Sequence, residues 1–205
     1  MIPNILSDTN SALLVVDMQV DFCADDGFVA DIGLNPRPCR EIVPELQELI
    51  DGARTKGVSV LWAFANYDDA KVPKTFLRRK QQKGITQNCC LPGTPGYESF
   101  GVFPTEDESQ FIKHSYSVFT NPDFEIHLKS QKIETLVFSG VQTNVCVEAT
   151  LRDAFNRGFN VVVAENCVAS HTLDLHNSTL KNVRMLLGEV TSSGNILESW
   201  HLNQS

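Results

Sequence analysis

No two of the six cysteines are spaced as C-x-x-C, and none stands at a zinc-ligand spacing from any of the five histidines. A zinc-knit or dithiol redox domain is thereby excluded. Six cysteines in 205 residues are also too few for a disulfide scaffold, so free thiols in a reducing compartment are expected. Long apolar runs are missing: nothing approaches the ~18 residues of a membrane span. The opening MIPNILSDTN has no charged segment followed by an apolar core, so no secretion signal is expected and the cytoplasm is the expected location. Positive charge is scarce as well. Against 25 acidic residues stand 17 lysines and arginines, a net charge of −8, with no basic stripe to neutralise phosphates. Neither nucleic acid nor an anionic membrane is expected as a partner. The one basic cluster, Arg78-Arg79-Lys80, is short and reads as a solvated loop or helix face.

What the chain does have is a series of short apolar strands alternating with helical patterns. Ser11–Val16, Val58–Ala65, Gln110–Ile112, Ile133–Phe138, Asn160–Ala164 and Glu189–Thr191 read as strands. Their apolar residues are continuous rather than alternating, as in a sheet covered on both faces. Helical patterns fall over Pro38 to Lys56 (stopped by Gly57), Thr75–Lys83, Pro122–Ser130, the segment from Cys146 to about Arg157, Leu173–Leu187 and Ile196–His201. Leu175, Leu180, Val183, Leu186 and Leu187 are the core candidates of the fifth. The pattern predicts a single α/β domain over residues 1–205, a three-layer α/β/α Rossmann-like fold around a mostly parallel sheet of about six strands. Val20–Arg37 reads as a loop. Residues 66–108 form a long irregular arm, read as a lid or a partner contact, in which Cys89 and Cys90 are expected to be exposed or at an interface.

Right-handed crossovers put the C-terminal end of every strand on one edge, where open parallel sheets bind ligands. Three chemically matched side chains reach that edge: Asp17, Lys113 and Cys146. Cys146 follows a strand–glycine–turn at the start of a helix, with Thr143 or Asn144 as N-cap, so its pKa is expected to fall. A desolvated carboxylate takes a thiol's proton, and a lysine beside both keeps the carboxylate ionised and favours the thiolate. Blander readings exist for each: Cys146 as a small buried apolar residue, Asp17 as a loop cap, Lys113 as a salt-bridge partner and nothing more. The five histidines follow no metal spacing, His114 is expected to point away from Lys113, and His171 alone lies near the active edge.

VVDMQVDF at 15–22, FIKHSYSVF at 111–119 and SGVQTNVCVEATLRDAFNRGFNVVVAENCVAS at 139–170 resemble the isochorismatase-like cysteine hydrolases. The resemblance implies the Rossmann-like fold, an Asp17–Lys113–Cys146 triad, and a cis peptide at Val141–Gln142 that aims the N–H of Gln142, beside that of Cys146, into an oxyanion hole. It also implies a homo-oligomer, a dimer or tetramer. Because Cys146 is present, hydrolysis of a C–N bond in a small amide or ureido (N-carbamoyl or biuret-like) compound is favoured over the vinyl ether cleavage of isochorismatase itself. The segment FANYDDAKVPK lacks the histidines of the nicotinamidase metal site, so no metal and no other cofactor is expected. Phe22, Asn66, Tyr67, Tyr116, Phe119, Thr143 and Asn144 are the candidate pocket residues. A non-catalytic interaction protein on the same fold is the remaining alternative.

Overall fold

Continuous β-branched and apolar runs become six strands of one all-parallel sheet in the computed structural model, which describes Leu6 and residues 10–200. In chain order the elements are β1 (Ser11–Val16), the short helices α1 (Val20–Cys23), α2 (Phe28–Asp31) and α3 (Arg37–Glu41), α4 (Val43–Thr55), β2 (Ser59–Ala65) and α5 (Lys74–Gln82). After them come β3 (Ser109–Lys113), α6 (Pro122–Ser130), β4 (Thr135–Val141), a π-helical turn (Thr143–Val147), α7 (Glu148–Asn156), β5 (Asn160–Ala169), α8 (Leu173–Leu186), β6 (Glu189–Thr191) and α9 (Ser193–Ser199). No helix among the described residues is long and apolar enough to cross a membrane.

The strand order is β3-β2-β1-β4-β5-β6. It reverses between β1 and β4, where Val16 pairs with Gly140, and such a switch point opens a crevice beyond the strand ends. Both sheet faces are buried, with successive residues of one strand feeding opposite cores. Leu13, Val15, Trp62 and Val137 pack on the side covered by α4 and α9, whereas Leu14, Val16, Leu61 and Phe138 pack on the side covered by α6, α7 and α8. That is why the strands read as unbroken apolar runs.

Several expected boundaries move, for identifiable reasons. Val20–Arg37 is not plain loop, since it carries α1 and α2. The helix expected over Pro38 to Lys56 is two helices, because Pro44 has no N–H with which to continue the first. β4 runs on through Gly140 to Val141 instead of turning there. Gly140 has φ +93°, and an added Cβ would lie 2.1 Å from the carbonyl oxygen of Val16. β5 does not stop at Ala164. Its pairing with β4 slips between Val163 and Val168, so Glu165, Asn166 and Cys167 lie inside the strand. On α8, Leu180 and Val183 are buried, but Leu175 and Leu186 are exposed and belong to no core. His201, expected to end the last helix, lies outside the described residues.

Candidate active site

Asp17, one residue past β1, has φ +50°. This left-handed turn, tolerated by aspartate better than by most residues, follows an N–H that still bonds to Ala63 (2.9 Å) in the neighbouring strand. Lys113 is the last residue of β3, two strands away, where it pairs with Ala65. Their side chains meet beneath the crevice. Lys113 Nζ lies 2.8 Å from Asp17 Oδ2, and both side chains are essentially fully buried. Lys113 also donates to Cys146 Sγ (3.4 Å), to the Tyr67 hydroxyl (2.9 Å) and to the Ser115 carbonyl (3.2 Å). The Tyr67 hydroxyl is itself 3.3 Å from Cys146 Sγ. Neither carboxylate oxygen of Asp17 has a well-aligned hydrogen bond among the described residues, but the Cys146 thiol and the Ala65 N–H lie near enough, with Lys113, to favour its charged form.

The electrostatics follow from burial. Desolvation raises the Asp17 carboxyl above 3.8, and Lys113 works against that rise. Burial opposes charge on Lys113, but Asp17 and the Cys146 sulfur outweigh it and lift the ammonium above its ordinary range. The proton of the ion pair therefore rests on the lysine. Cys146 departs from expectation. Burial and then the Asp17 carboxylate push its thiol up to about 12, with Lys113 in opposition. The expected fall depended on an α-helix N-terminus. Cys146 instead lies in the π-helical turn, whose N-cap is Gln142 with no side-chain capping bond. Thr143 and Asn144 do not cap it. Burial and the neighbouring carboxylate thus favour the thiol over a free thiolate.

Above these groups lies an apolar cavity of about 320 Å³. Asp17, Phe22, Tyr67, Tyr116, Gln142 and Cys146 line it, and the Val141–Gln142 peptide is cis. Four candidate residues lie elsewhere. Asn66 turns inward, its Oδ1 accepting from Asp68 N and its carbonyl from His114 Nδ1 (2.8 Å). Phe119, in the turn after β3, packs in the far core against Phe124 and Phe159. Thr143 Oγ1 is 2.9 Å from His176 Nδ1, and Asn144 Oδ1 accepts from Ser170 (2.5 Å). His171 donates to the Asn35 carbonyl (2.9 Å) and does not line the cavity.

Sequence reasoning missed most of the upper wall. Phe28, Val29, Ile32 and Leu34 come from the segment read as loop, and Phe76, Arg79, Lys80, Lys83, Ile85, Gln87 and Cys89 from the arm. One signal was available: Phe76, Arg79, Lys80 and Lys83 share an i, i+3, i+4, i+7 face. Cys89 and Cys90 are buried, contrary to expectation, because the Tyr67 N–H bonds to the Cys89 carbonyl and the Cys90 N–H to Asp21. Asp21, Cys89 and Cys90 are the group of potential metal ligands that come together among the described residues. Both oxygens of Asp21 already accept backbone N–H groups, from Phe28 and Cys90, which suits a loop staple.

Residues 11–195 match the Isochorismatase domain family. The ureidoacrylate amidohydrolase RutB of Acinetobacter baylyi is 26% identical, aligned over 97% of this chain and 87% of its own length. The nicotinamidase PncA of Bacillus subtilis is 27% identical, with a TM-score of 0.77 over 89% of this chain and 99% of its own. A cysteine hydrolase from Pseudomonas syringae pv. phaseolicola shares the fold, with a TM-score of 0.81 at 24% identity over 93% of this chain and 92% of its own.

Proposed function

The chain belongs to the isochorismatase family, and from that premise we propose that it is a cysteine hydrolase that opens the C–N bond of a small amide or ureido compound through a thioester, without a metal. One observation carries the reading: a single buried ammonium within reach of both a carboxylate and a thiol, with the carboxylate and the thiol lining the same apolar cavity. Relatives named as a ureidoacrylate amidohydrolase and a nicotinamidase support C–N bonds as the target. Asn66-Tyr67-Asp68-Asp69 after β2 supplies no histidine, which supports metal-free chemistry.

With the substrate carbonyl over Cys146, Sγ attacks carbon as Asp17 takes the thiol proton, a transfer that a desolvated carboxylate performs well. The oxyanion that forms accepts hydrogen bonds from the N–H groups of Gln142 and Cys146. The C–N bond breaks, Asp17 returns the proton to the leaving nitrogen, and a thioester remains on Cys146. Asp17 then deprotonates a water, which attacks the thioester. The C–S bond breaks and the sulfur recovers a proton from Asp17. Lys113 stays an ammonium throughout, holding Asp17 in place and meeting the charge that grows on sulfur.

The test is ammonia or acid release from a panel of amides and ureides, with acid-quenched protein analysed by mass spectrometry. An acyl adduct on Cys146 is expected during turnover, and Cys146→Ala should be folded and inactive. Full activity in Cys146→Ala overturns the proposal.

A further inference from the structure

The arm helix α5 has no fully buried residue and packs on the core through Phe76 and Leu77, and one of its faces, Phe76, Arg79, Lys80 and Lys83, borders the cavity. Lys80 is already engaged: its Nζ lies 2.6 Å from Asp69 and 3.1 Å from the Asn88 side-chain oxygen. The side chains of Arg79 and Lys83 have no hydrogen-bond or ion-pair partner among the described residues. Burial and then Cys146 raise the Tyr116 phenol, with Lys113 and, less, Arg79 in opposition, so the positive field of Arg79 is felt inside the cavity. No carboxylate except Asp17 lines the cavity, and Asp17 is committed to Lys113 on the floor. A protein of net charge −8 thus carries two exposed cations, without a side-chain partner among the described residues, on the solvent side of the cavity that Cys146 lines.

Between mouth and floor the walls are carbon: Phe22, Phe28, Ile32, Leu34 and Val145. The cavity volume of about 320 Å³ is roughly ten waters' share of liquid volume. That exceeds the body of a three-carbon ureido acid. Resting on the amidohydrolase reading above, we propose that Arg79 and Lys83 form an anion subsite, and that the substrate is an amide or ureide with an apolar, ring-sized body and a carboxylate at the end far from the scissile bond. The carboxylate meets the two cations at the mouth while the body displaces water from the walls, delivering the carbonyl to Cys146. Cations in a cleft also raise the local concentration of an anionic substrate.

Three ureides separate the possibilities: para-(ureidomethyl)benzoate, the neutral para-methylbenzylurea, and ureidoacetate, an acid too short to span the cavity. The benzoate should exceed both others in kcat/KM, by about 10- to 100-fold over the neutral ureide at low salt. Its advantage should shrink as ionic strength rises. Arg79→Gln/Lys83→Gln, at two exposed positions, should remove most of that advantage, chiefly through KM. Arg79→Glu/Lys83→Glu should turn the preference toward the neutral ureide. Equal rates for benzoate and neutral ureide, or a preference unmoved by either double variant, overturns the subsite. Calorimetric binding of the same pair to Cys146→Ala needs no turnover. Selective binding of the benzoate without turnover by the intact enzyme would sink the reaction and leave the subsite standing, whereas equal binding would sink the subsite.

Discussion

The hydroxyl of Tyr67 touches both the ammonium of Lys113 and the sulfur of Cys146, at 2.9 and 3.3 Å. A hydrogen bond to a charged group contributes about 1.5–3 kcal/mol. Tyr67→Phe keeps the ring packing against Phe76 and Tyr116 and should lower kcat by about 10-fold or more with little change in KM. Steady-state kinetics checks this, and a kcat within twofold of the parent would remove Tyr67 from the machinery. The titration of the site makes a second prediction. Asp17 acts when ionised and its carboxyl lies above 3.8, so kcat/KM should fall as pH drops through that raised value. The Cys146 thiol sits at about 12 and Lys113 is raised, so no limb should appear near the ~8.5 of a free cysteine. A pH profile rising through pH 8–9 would indicate a preformed thiolate and count against Asp17 as base. That Asp17, Lys113 and Cys146 come together was legible from their places at strand ends. The sulfur's protonation was not, because it depends on burial and on a π-helical turn that residue types alone do not announce.

Gly140 shows how an element's local sequence serves the site. A β4 strand that continues past Phe138 must pass the backbone of Val16 at close range, and a positive φ with no Cβ permits it. Gly140→Ala would bring both strain and a clash with backbone, and should cost at least ~3 kcal/mol, read as a lowered urea midpoint. A midpoint unchanged within error would show that the strands separate there freely. Gln19 plays the corresponding part at the end of β2. Fully buried, it donates from Nε2 to the carbonyls of Ala65 (3.1 Å) and Tyr97 (3.0 Å) and accepts from Ala65 N–H (2.8 Å). It ties the sheet edge to the arm. Gln19→Leu leaves those groups unpaired, at a cost of about 1–3 kcal/mol for each one left buried. It should lower the midpoint and speed hydrogen exchange in residues 95–99 before the sheet opens; uniform exchange would contradict a local tether. The strands were legible because burial on both faces writes itself as continuous apolar residues. The cavity wall was not, because Phe28, Ile32 and Phe76 stand in short, glycine- and proline-punctuated segments with no sustained periodicity, whose path is set by remote hydrogen bonds such as these.

At the scale of the whole molecule, the Asp17–Lys113 pair joins strands that flank β2 on either side, and with Cys146 it draws together three stretches far apart in the chain. A buried ion pair adds little against an apolar replacement of both members, but removing one member strands the other charge. Lys113→Met should therefore lose activity and about 3–5 kcal/mol of stability. The cause is Asp17, already raised by burial and then deprived of its counter-charge. The double variant Asp17→Asn/Lys113→Met removes both charges, so it should be as inactive as the single variant yet regain most of the lost stability. Urea denaturation of the parent, both single variants and the double variant forms a closed cycle, and a coupling energy of at least ~1 kcal/mol is expected from groups in contact. Additive losses would mean that the two side chains are held independently by the fold, and the ion pair would then be an effect of strand packing instead of a tie between β1 and β3. Activity that disappears in the double variant while stability returns would show the charges to be kept at the switch point for chemistry and not for folding.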